Sequence, residues 1–375
     1  MPEKSKPTNP GDFLFAILVL GLVIFGIVMV FSAGSYVSMV EYGDSFYYLK
    51  RVCLWAGAGL VAMIAALLVP YRFYFWPAPF VMIGSLCLLG LLFTPLAVIR
   101  NDAARWLGVG EITVMPGEIA KAAVILFVAW YLGAKPDRIR SFPRGPLFLL
   151  GVGGICFWMI CKQPNLSTAL IVFGLVAAMI FIAGVKWRHL AVLAAGGAAS
   201  AYIFLQNLDP DGYHMKRLTA FTDPFADPQD AGWQAIQSLL AFGAGGVFGS
   251  GLGKSIQKAM YLPEGHNDFI LAVIGEEWGL IGCLVLLTAY LLLIFRGARI
   301  AIHAPDRFSM LLAAGVTILF AMQVIVNVAV VTSIVPNTGV ALPFVSYGGN
   351  ALLIYMFLAG VVLNISRYAK EARDA

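Results

Sequence analysis

Long apolar stretches recur along the whole sequence and constrain the fold more than any other feature. A transmembrane helix needs about 20 consecutive, predominantly apolar residues. Such stretches lie at 13–34, 52–70, 77–98, 118–134, 147–161, 166–185, 187–206, 267–295, 308–335 and 343–364. Hydrophobic residues make up 60% and charged residues 12% of the 375 positions, unlike a soluble domain. The sequence therefore predicts an all-α, polytopic membrane protein that forms a single domain, 1–375, with about ten transmembrane helices.

Basic residues are distributed unequally between the two sides of this predicted bundle. The terminal tails and the even-numbered loops hold 15 of the 25 Lys and Arg residues, in short connections. Four of the others lie in the long segment between helices seven and eight, where charge has less effect on orientation. Because short cytoplasmic loops carry an excess of basic residues, both termini are predicted to be cytoplasmic.

Composition and cysteine spacing also exclude three features. The net charge of +5 is what basic cytoplasmic loops produce, and no basic stripe with interleaved aromatic residues indicates nucleic-acid binding. The five cysteines fall within predicted spans and lack metal-ligand spacing. We therefore expect no nucleic-acid partner, no disulfide framework and no zinc site.

The segment from 207 to 266 interrupts the apolar stretches and faces outward in this orientation. It contains three Asp-Pro steps, a helix-like WQAIQSLLAF and the glycine-rich GAGGVFGSGLG. We interpret it as a large, folded extracytoplasmic loop, or cap, between helices seven and eight. The glycine-rich part fits either a phosphate cradle or a tight re-entrant or interfacial hairpin. The hairpin is favoured, because a phosphate cradle requires the strand and helix of a nucleotide fold.

Three carboxylates, Asp268, Glu276 and Glu277, lie at the start of and inside the eighth apolar stretch. A charge in a membrane span costs roughly 2.5 to 3.5 kcal/mol on insertion scales, so such groups indicate a paired or functional site. Helical geometry lets Glu276 share a side with Asp268, about 12 Å deeper, and places Glu277 on the opposite side. Asp268 is therefore the candidate functional carboxylate at the outer mouth. Glu276 and Glu277 are interpreted as buried structural partners of cations or polar groups on other helices.

Other charged residues near the outer ends of helices have two interpretations each. Glu118 and Lys121 are three residues apart on one helix, so they either neutralise each other or take part in chemistry. Arg105 is either a site cation or an interfacial anchor beside a tryptophan. Lys254, in the cap, is either a site cation or a residue that contacts anionic lipid headgroups.

The last outward turn, between spans nine and ten, contains Pro336, Gly339 and Pro343. Non-helical backbone at membrane depth persists only where protein or water satisfies its hydrogen-bonding groups. The alternative is a plain turn at the membrane interface. We expect a polar pocket near Asp268 that is lined by Asn337, Thr338, Ser346, Tyr347 and Asn350.

Several motifs resemble those of one family. They are ARWLGVG and PGEIAKAA near span four, QPNLSTA between spans five and six, the block from DPFADPQDAGWQ to IGEEWG, and PNTGVALPFVSYGGNALL. On these motifs the sequence is similar, over nearly its whole length, to the shape, elongation, division and sporulation (SEDS) family of bacterial cell-wall polymerases. The match is strongest to the FtsW and SpoVE branch of that family. The positions that depart from the family pattern, all outside the HNDF core, are Met115, Gly117, Asn165, Ser167 and Asn350.

The resemblance implies a peptidoglycan glycosyltransferase that polymerises lipid II on the outer face of the bacterial cytoplasmic membrane, during division or sporulation. It also implies that Asp268 is the catalytic carboxylate and general base. Displacing a polyprenyl pyrophosphate from an anomeric carbon needs a base but no strong acid, because pyrophosphate leaves well. The substrate-binding residues expected with this activity are Arg105, Lys121, Arg217, Lys254, His266, Ser346 and Tyr347.

The same resemblance implies partners and alternatives. A class B penicillin-binding protein would supply the transpeptidase, together with other divisome or sporulation membrane proteins. No resident cofactor is expected, apart from a divalent cation, Mg²⁺ or Mn²⁺, bound through the pyrophosphate. Two other functions stay open from the sequence. One is a lipid II flippase, whose polar residues would run through the whole bilayer, and the other is a non-catalytic scaffold for a transpeptidase.

Overall fold

The computed structural model describes residues 9–100, 103–109, 112–189 and 232–369, together with a few positions between 191 and 228. Most of the seventh predicted span, 187–206, lies outside the described residues, as do Arg217 and the first part of the cap. The described chain is mostly helical and carries several helices able to cross a membrane. The predicted polytopic helical fold is thereby confirmed.

The helices follow the apolar stretches of the sequence. In the described residues they are α1 (Phe13–Tyr42), α2 (Tyr47–Leu68), α3 (Ala78–Leu91), α4 (Pro116–Ala134), α5 (Phe148–Cys161), α6 (Leu166–Ile182), α7 (Trp233–Gly245), α8 (Ile270–Ile302), α9 (Arg307–Val331) and α10 (Gly349–Ser366). Short helical turns occupy Tyr71–Phe75, Pro136–Arg140 and Pro143–Leu147. Among the described helices, seven are long and apolar enough to span a membrane when Pro143–Leu147 is counted with α5, and α3 and α6 are apolar but shorter. Helix α7 is the one expected within the cap.

A small sheet between α3 and α4 was not anticipated from the sequence. Its strands are β1 (Ala97–Arg100), β2 (Ala103–Val109) and β3 (Ile112–Val114), in the order β1-β2-β3. Both pairings are antiparallel. The sheet carries Arg105 on its central strand, so this candidate residue is held by a hairpin rather than by a helix end.

An ion pair marks one end of the bundle. Asp12 caps α1 by accepting a hydrogen bond from Phe15 N at 2.9 Å, and its carboxylate lies 2.7 Å from Arg296 Nη2 of α8. Ser32, about twenty residues further along α1, donates to the carboxylate of Glu277 at 2.7 Å. Twenty residues of helix rise about 30 Å, the thickness of the hydrocarbon layer. Glu277 therefore lies near the opposite membrane boundary, at what we call the Asp268 end of the bundle.

Close packing of α2 against α10 illustrates how the helices form one core. A Cβ on Gly59 would lie 2.5 Å from the sulfur of Met356, and one on Gly360 would collide with the Met63 carbonyl. Outside this core, large apolar side chains such as Phe80 face outward. An apolar exterior around a packed core is what a multi-pass membrane protein presents to lipid.

The glycine-rich segment of the cap crosses α8 at a kink. Gly279 interrupts α8 with a φ of +67°, and Gly249, on the crossing segment, has a φ of +79°. A Cβ built on Gly279 would lie 2.5 Å from the carbonyl oxygen of Val247 and would also collide with the Gly249 nitrogen. Both the positive φ and the close approach of two backbones therefore require glycine here.

Backbone hydrogen bonds join the crossing segment to α8. Ser250 N donates to the Glu276 carbonyl at 2.9 Å, and Gly251 N donates to the Glu277 carbonyl at 3.0 Å. These amides are therefore occupied and do not form a phosphate cradle. The arrangement agrees with the hairpin interpretation of the glycine-rich sequence.

Substituting Gly279 tests this crossing. We expect Gly279→Ala to lower the midpoint of thermal unfolding by several degrees, because a side chain at positive φ costs about 1 to 2 kcal/mol and the new methyl group meets the cap backbone. The control is Gly151→Ala in α5, where a Cβ has no neighbour within 4 Å, and it should leave the midpoint unchanged or raise it. Unfolding of the detergent-purified chains, followed by size exclusion, measures both. Equal midpoints for the two variants would contradict the close crossing.

Candidate active site

Asp268 lies half-buried in the turn that precedes α8. Its backbone carbonyl accepts a hydrogen bond from Asn327 Nδ2 of α9 at 2.8 Å. Its carboxylate faces the segment between α9 and α10, since a Cβ built on Gly339 would lie 3.0 Å from Asp268 Oδ2. Gly339 also has a φ of +65°, a conformation that glycine adopts without strain. The predicted broken segment therefore forms one wall around the candidate carboxylate.

Two neighbouring helices hold the first half of this wall. Ser167, in the first turn of α6, donates to the Thr338 carbonyl. Asn337 donates to the side chain of Gln234 at the start of α7. The cap helix and α6 therefore meet at the wall beside Asp268, as expected for non-helical backbone at this depth.

The second half of the wall is held by the chain that leads into α10. Ser346 Oγ accepts from Leu342 N at 2.8 Å, which closes a tight turn. Asn350 Nδ2 donates to the Thr113 carbonyl of β3 at 2.8 Å. Ser346 and Asn350, two of the expected pocket residues, thus use part of their hydrogen-bonding capacity to hold backbone.

His266 belongs to an aromatic cluster next to Asp268. Its ring stacks on Tyr48 of α2, with centroids 4.3 Å apart, and its carbonyl accepts from Tyr347 N at 3.1 Å. The ring of Tyr347 contacts both, at 4.9 Å from Tyr48 and 5.7 Å from His266. Burial lowers the pKa of His266, against the opposing effect of two nearby glutamates. The imidazole is therefore biased toward its neutral form.

Arg105 reaches the same end of the bundle from the sheet. Its Nη2 donates to the Pro164 carbonyl at 2.5 Å. Pro164 immediately precedes Asn165, which caps α6 by accepting from Thr168 N at 3.3 Å. Ser167 of the same turn contacts the wall beside Asp268. A short, continuous set of contacts therefore connects Arg105 with the Asp268 site.

Lys121 lies within the helical bundle and has partners there. Its ammonium is 2.7 Å from Glu118 Oε1 and donates to the Tyr355 hydroxyl at 2.9 Å. Tyr355 in turn donates to Glu118 Oε2 at 2.9 Å and accepts from Gln323. Only 2% of Lys121 is exposed. The geometry supports mutual neutralisation of Glu118 and Lys121 and gives no support to the predicted contact of Lys121 with substrate.

The carboxylate of Glu276 holds the cap through the backbone of the cap. The carboxylate accepts from Ser255 Oγ, from Ile256 N at 2.8 Å and from Gln257 N at 3.3 Å. The role as a buried structural partner was anticipated, but the partners come from the cap rather than from other helices. Glu276 is therefore an anchor of the turn that begins at Ser255.

Glu277 binds the other side of the same turn. Lys258 Nζ lies 3.0 Å from Glu277 Oε1, and Ser32 of α1 donates to both carboxylate oxygens. With Lys258 engaged, Lys254 is the exposed cation of the described part of this turn. The two lysines of this turn therefore have different surroundings: Lys258 is paired with Glu277, and Lys254 is exposed.

Comparison with known proteins decides the family. A family model described as a cell cycle protein, covering FtsW, RodA and SpoVE, matches residues 12–371. The chain is 40% identical to stage V sporulation protein E of Bacillus subtilis, over 98% of this chain and 99% of that protein. It is 38% identical to a probable peptidoglycan glycosyltransferase FtsW of Geobacter metallireducens, over 96% of this chain and 95% of that protein. The chain belongs to the SEDS family.

Solved structures extend the SEDS match to the fold. One, titled for the structural coordination of polymerization and crosslinking by a peptidoglycan synthase complex, matches with a TM-score of 0.78 and 28% identity. It covers 96% of this chain and 99% of the other. The rod shape determining protein RodA of Thermus thermophilus matches with a TM-score of 0.70 and 27% identity, over 96% and 97% of the two chains.

Several residues at this SEDS site were missed by sequence reasoning. Tyr48 and Asn327 contact the Asp268 turn directly, and Ser32 supports Glu277. The adjacent tyrosines at the start of α2 offered a weak signal, because aromatic residues gather at membrane boundaries. Arg217, a predicted substrate-binding residue, lies outside the described residues.

Removing the Glu276 carboxylate should release the cap turn. We expect Glu276→Ala to increase hydrogen exchange of the Ile256 and Gln257 amides at least tenfold, since their acceptor is lost. Lys254→Ala, in the same segment but on an exposed side chain, is the control and should leave this exchange unchanged. Mass spectrometry of peptides covering 250–260 measures both. Unchanged exchange in Glu276→Ala would show that the turn is held by other contacts.

Proposed function

We propose that this chain is a peptidoglycan glycosyltransferase that polymerises lipid II. The relative from Geobacter metallireducens carries the name of such an enzyme, and the chain aligns with it almost from end to end. The single structural observation behind the proposal is the half-buried Asp268, whose carboxylate lies beside Gly339 in the segment between α9 and α10. A carboxylate so placed is accessible to a substrate that arrives at the membrane surface.

In the proposed reaction Asp268 is the general base. It takes the proton of the acceptor sugar hydroxyl as that oxygen attacks the anomeric carbon of the donor. A new C–O bond forms, the bond from the anomeric carbon to undecaprenyl pyrophosphate breaks, and the electron pair leaves with the pyrophosphate. Displacement at one carbon by one nucleophile inverts the anomeric configuration. Because pyrophosphate is a good leaving group, no strong acid is needed opposite the base.

Cations around the mouth would stabilise the charge on the leaving pyrophosphate. We assign this role to Arg105 and Lys254 among the described residues, and to Arg217 from the sequence. His266 and Tyr347 form an aromatic wall beside Asp268 and, with Ser346, would contact the sugar or peptide of the substrate. Lys121 is not included, because it is engaged inside the bundle.

A divalent cation fits this site only as a group shared with substrate. The described residues contain no cluster of three or more His, Cys, Asp or Glu side chains that could hold an ion alone. Mg²⁺ is usually held by one or two carboxylates together with substrate phosphates. If Mg²⁺ or Mn²⁺ is used, Asp268 and the pyrophosphate would hold it, and it would offset negative charge on the phosphates.

Orientation and partners complete the proposal. Cytoplasmic termini place the Asp12–Arg296 pair at the inner boundary and the Asp268 end on the outer face, where the glycan strand is assembled. The solved complex is titled for polymerization and crosslinking together. We extend this to a class B penicillin-binding protein as the transpeptidase partner of this chain, alongside other divisome or sporulation membrane proteins.

Neutralising Asp268 is the decisive substitution. We expect Asp268→Asn to abolish glycan polymerisation from purified lipid II, because an amide cannot accept the hydroxyl proton at neutral pH, while folding and partner binding persist. Asp44→Asn is the control, since Asp44 is partly exposed in the α1–α2 turn and pairs with Lys50. Gel analysis of the polymer measures both. Normal polymer from Asp268→Asn would remove Asp268 from catalysis.

Substitutions of the two cap lysines should have different effects, one on lipid II turnover and one on the stability of the fold. Lys254→Ala should lower kcat/KM for lipid II about tenfold with no change in thermal stability, since one cation near the pyrophosphate is lost. Lys258→Ala should destabilise the fold by about 3 kcal/mol, because it leaves the buried Glu277 without its cation. Steady-state polymerisation and thermal unfolding of the same preparations measure the two effects. If Lys254→Ala lowered stability and Lys258→Ala lowered only kcat/KM, the roles of the two lysines would be exchanged.

A further inference from the structure

Asn327 occupies a position between the two chain segments that form the candidate active site. It lies near the end of α9 and is 1% exposed. Its Nδ2 donates to the Asp268 carbonyl at 2.8 Å and to the Val340 carbonyl at 2.6 Å. One amide group therefore ties the turn before α8 to the wall between α9 and α10.

The chemistry of this bridge is specific to a side-chain amide. Both acceptors are backbone carbonyls outside helices, and a buried carbonyl needs a donor. An amide nitrogen offers two donors on one uncharged atom, whereas a carboxylate offers only acceptors. In the described part of the chain, Asn327 Oδ1 has no hydrogen-bond partner. The two carbonyl bonds are therefore what fixes this side chain.

The bridge bears directly on the spacing at the carboxylate. Val340 follows Gly339, whose missing Cβ position lies 3.0 Å from Asp268 Oδ2. Fixing the Val340 carbonyl relative to the Asp268 carbonyl therefore fixes the gap between the carboxylate and its wall. A general base must hold its carboxylate within reach of the acceptor hydroxyl, so the placement of Asp268 against this wall bears on the proposed reaction.

We propose that Asn327 is a positioning residue for Asp268, which sets the distance between the carboxylate and the Gly339 wall. The proposal rests on the proposed function of Asp268 as base. Asn327 touches neither substrate nor reacting atoms and acts through the two segments that it joins. Its loss therefore lowers turnover more than it weakens lipid II binding.

The chain contains a matched control for a purely structural role. Asn364 of α10 is also 1% exposed and also bridges backbone, donating to the Leu67 carbonyl at 2.6 Å and accepting from Tyr71 N at 2.8 Å. It lies at the end of the bundle away from Asp268, two residues before Ser366, which accepts a hydrogen bond from Asp12 N. Asn364 therefore tests the cost of losing a buried amide bridge far from Asp268.

The experiment compares Asn327→Leu and Asn364→Leu in the purified full-length chain with lipid II as substrate. We expect Asn327→Leu to lower kcat per folded molecule at least 30-fold and to change KM less than threefold, since small misplacement of a reacting group costs up to about 100-fold. Asn364→Leu should keep kcat within threefold even where it lowers the unfolding midpoint. If Asn327→Leu does not fold, Asn327→Ser, which keeps one donor, should still lower kcat about tenfold.

The outcomes separate the two proposals. If both leucine variants keep kcat within threefold, or if both lose kcat in proportion to their loss of folded protein, Asn327 is not a positioning residue. If Asp268→Asn is inactive in either of these cases, the base assignment survives and only the inference about Asn327 fails. If Asp268→Asn polymerises normally, the base assignment fails first, and the role of Asn327 fails with it.

Discussion

The need to satisfy two adjacent carboxylates at a membrane boundary organises the Asp268 end of this protein. A carboxylate left unpaired in low-dielectric surroundings costs several kcal/mol, so Glu276 and Glu277 must find partners. The cap supplies them from its own backbone and from Lys258. The position of the cap is thereby fixed to α8, eight residues after Asp268 in the sequence. The candidate base and the cap are thus both held by α8.

The helices were predictable because burial in lipid requires long apolar stretches, and little else produces them. The sheet was not, for a physical reason. The third predicted span ran to residue 98, whereas α3 ends at Leu91 and β1 begins at Ala97. Short apolar strands next to an apolar helix have no periodicity that distinguishes them from a further helical turn. Arg105 therefore lies on a strand of this sheet, which the sequence did not predict.

The site was predictable where it is charged or where proline and glycine break a helix. Asp268 and the wall around Gly339 belong to this class, and the structure brings them together. Asn327 was not predictable, because a lone amide in an apolar helix is ordinary and its partners are distant backbone carbonyls. Lys121 had two interpretations from its neighbour Glu118. The choice between them depended on Tyr355, which lies more than 200 residues away in the sequence.

The kink at Gly279 divides α8 into two parts with different demands. The part from 280 to 302 is about 34 Å long, enough to cross the hydrocarbon layer unaided. The shorter part, which follows Asp268, makes no contribution to that crossing. A bilayer thinner than this length is accommodated by tilting of the longer part. The turn that carries Asp268 therefore lies outside the segment whose tilt responds to bilayer thickness.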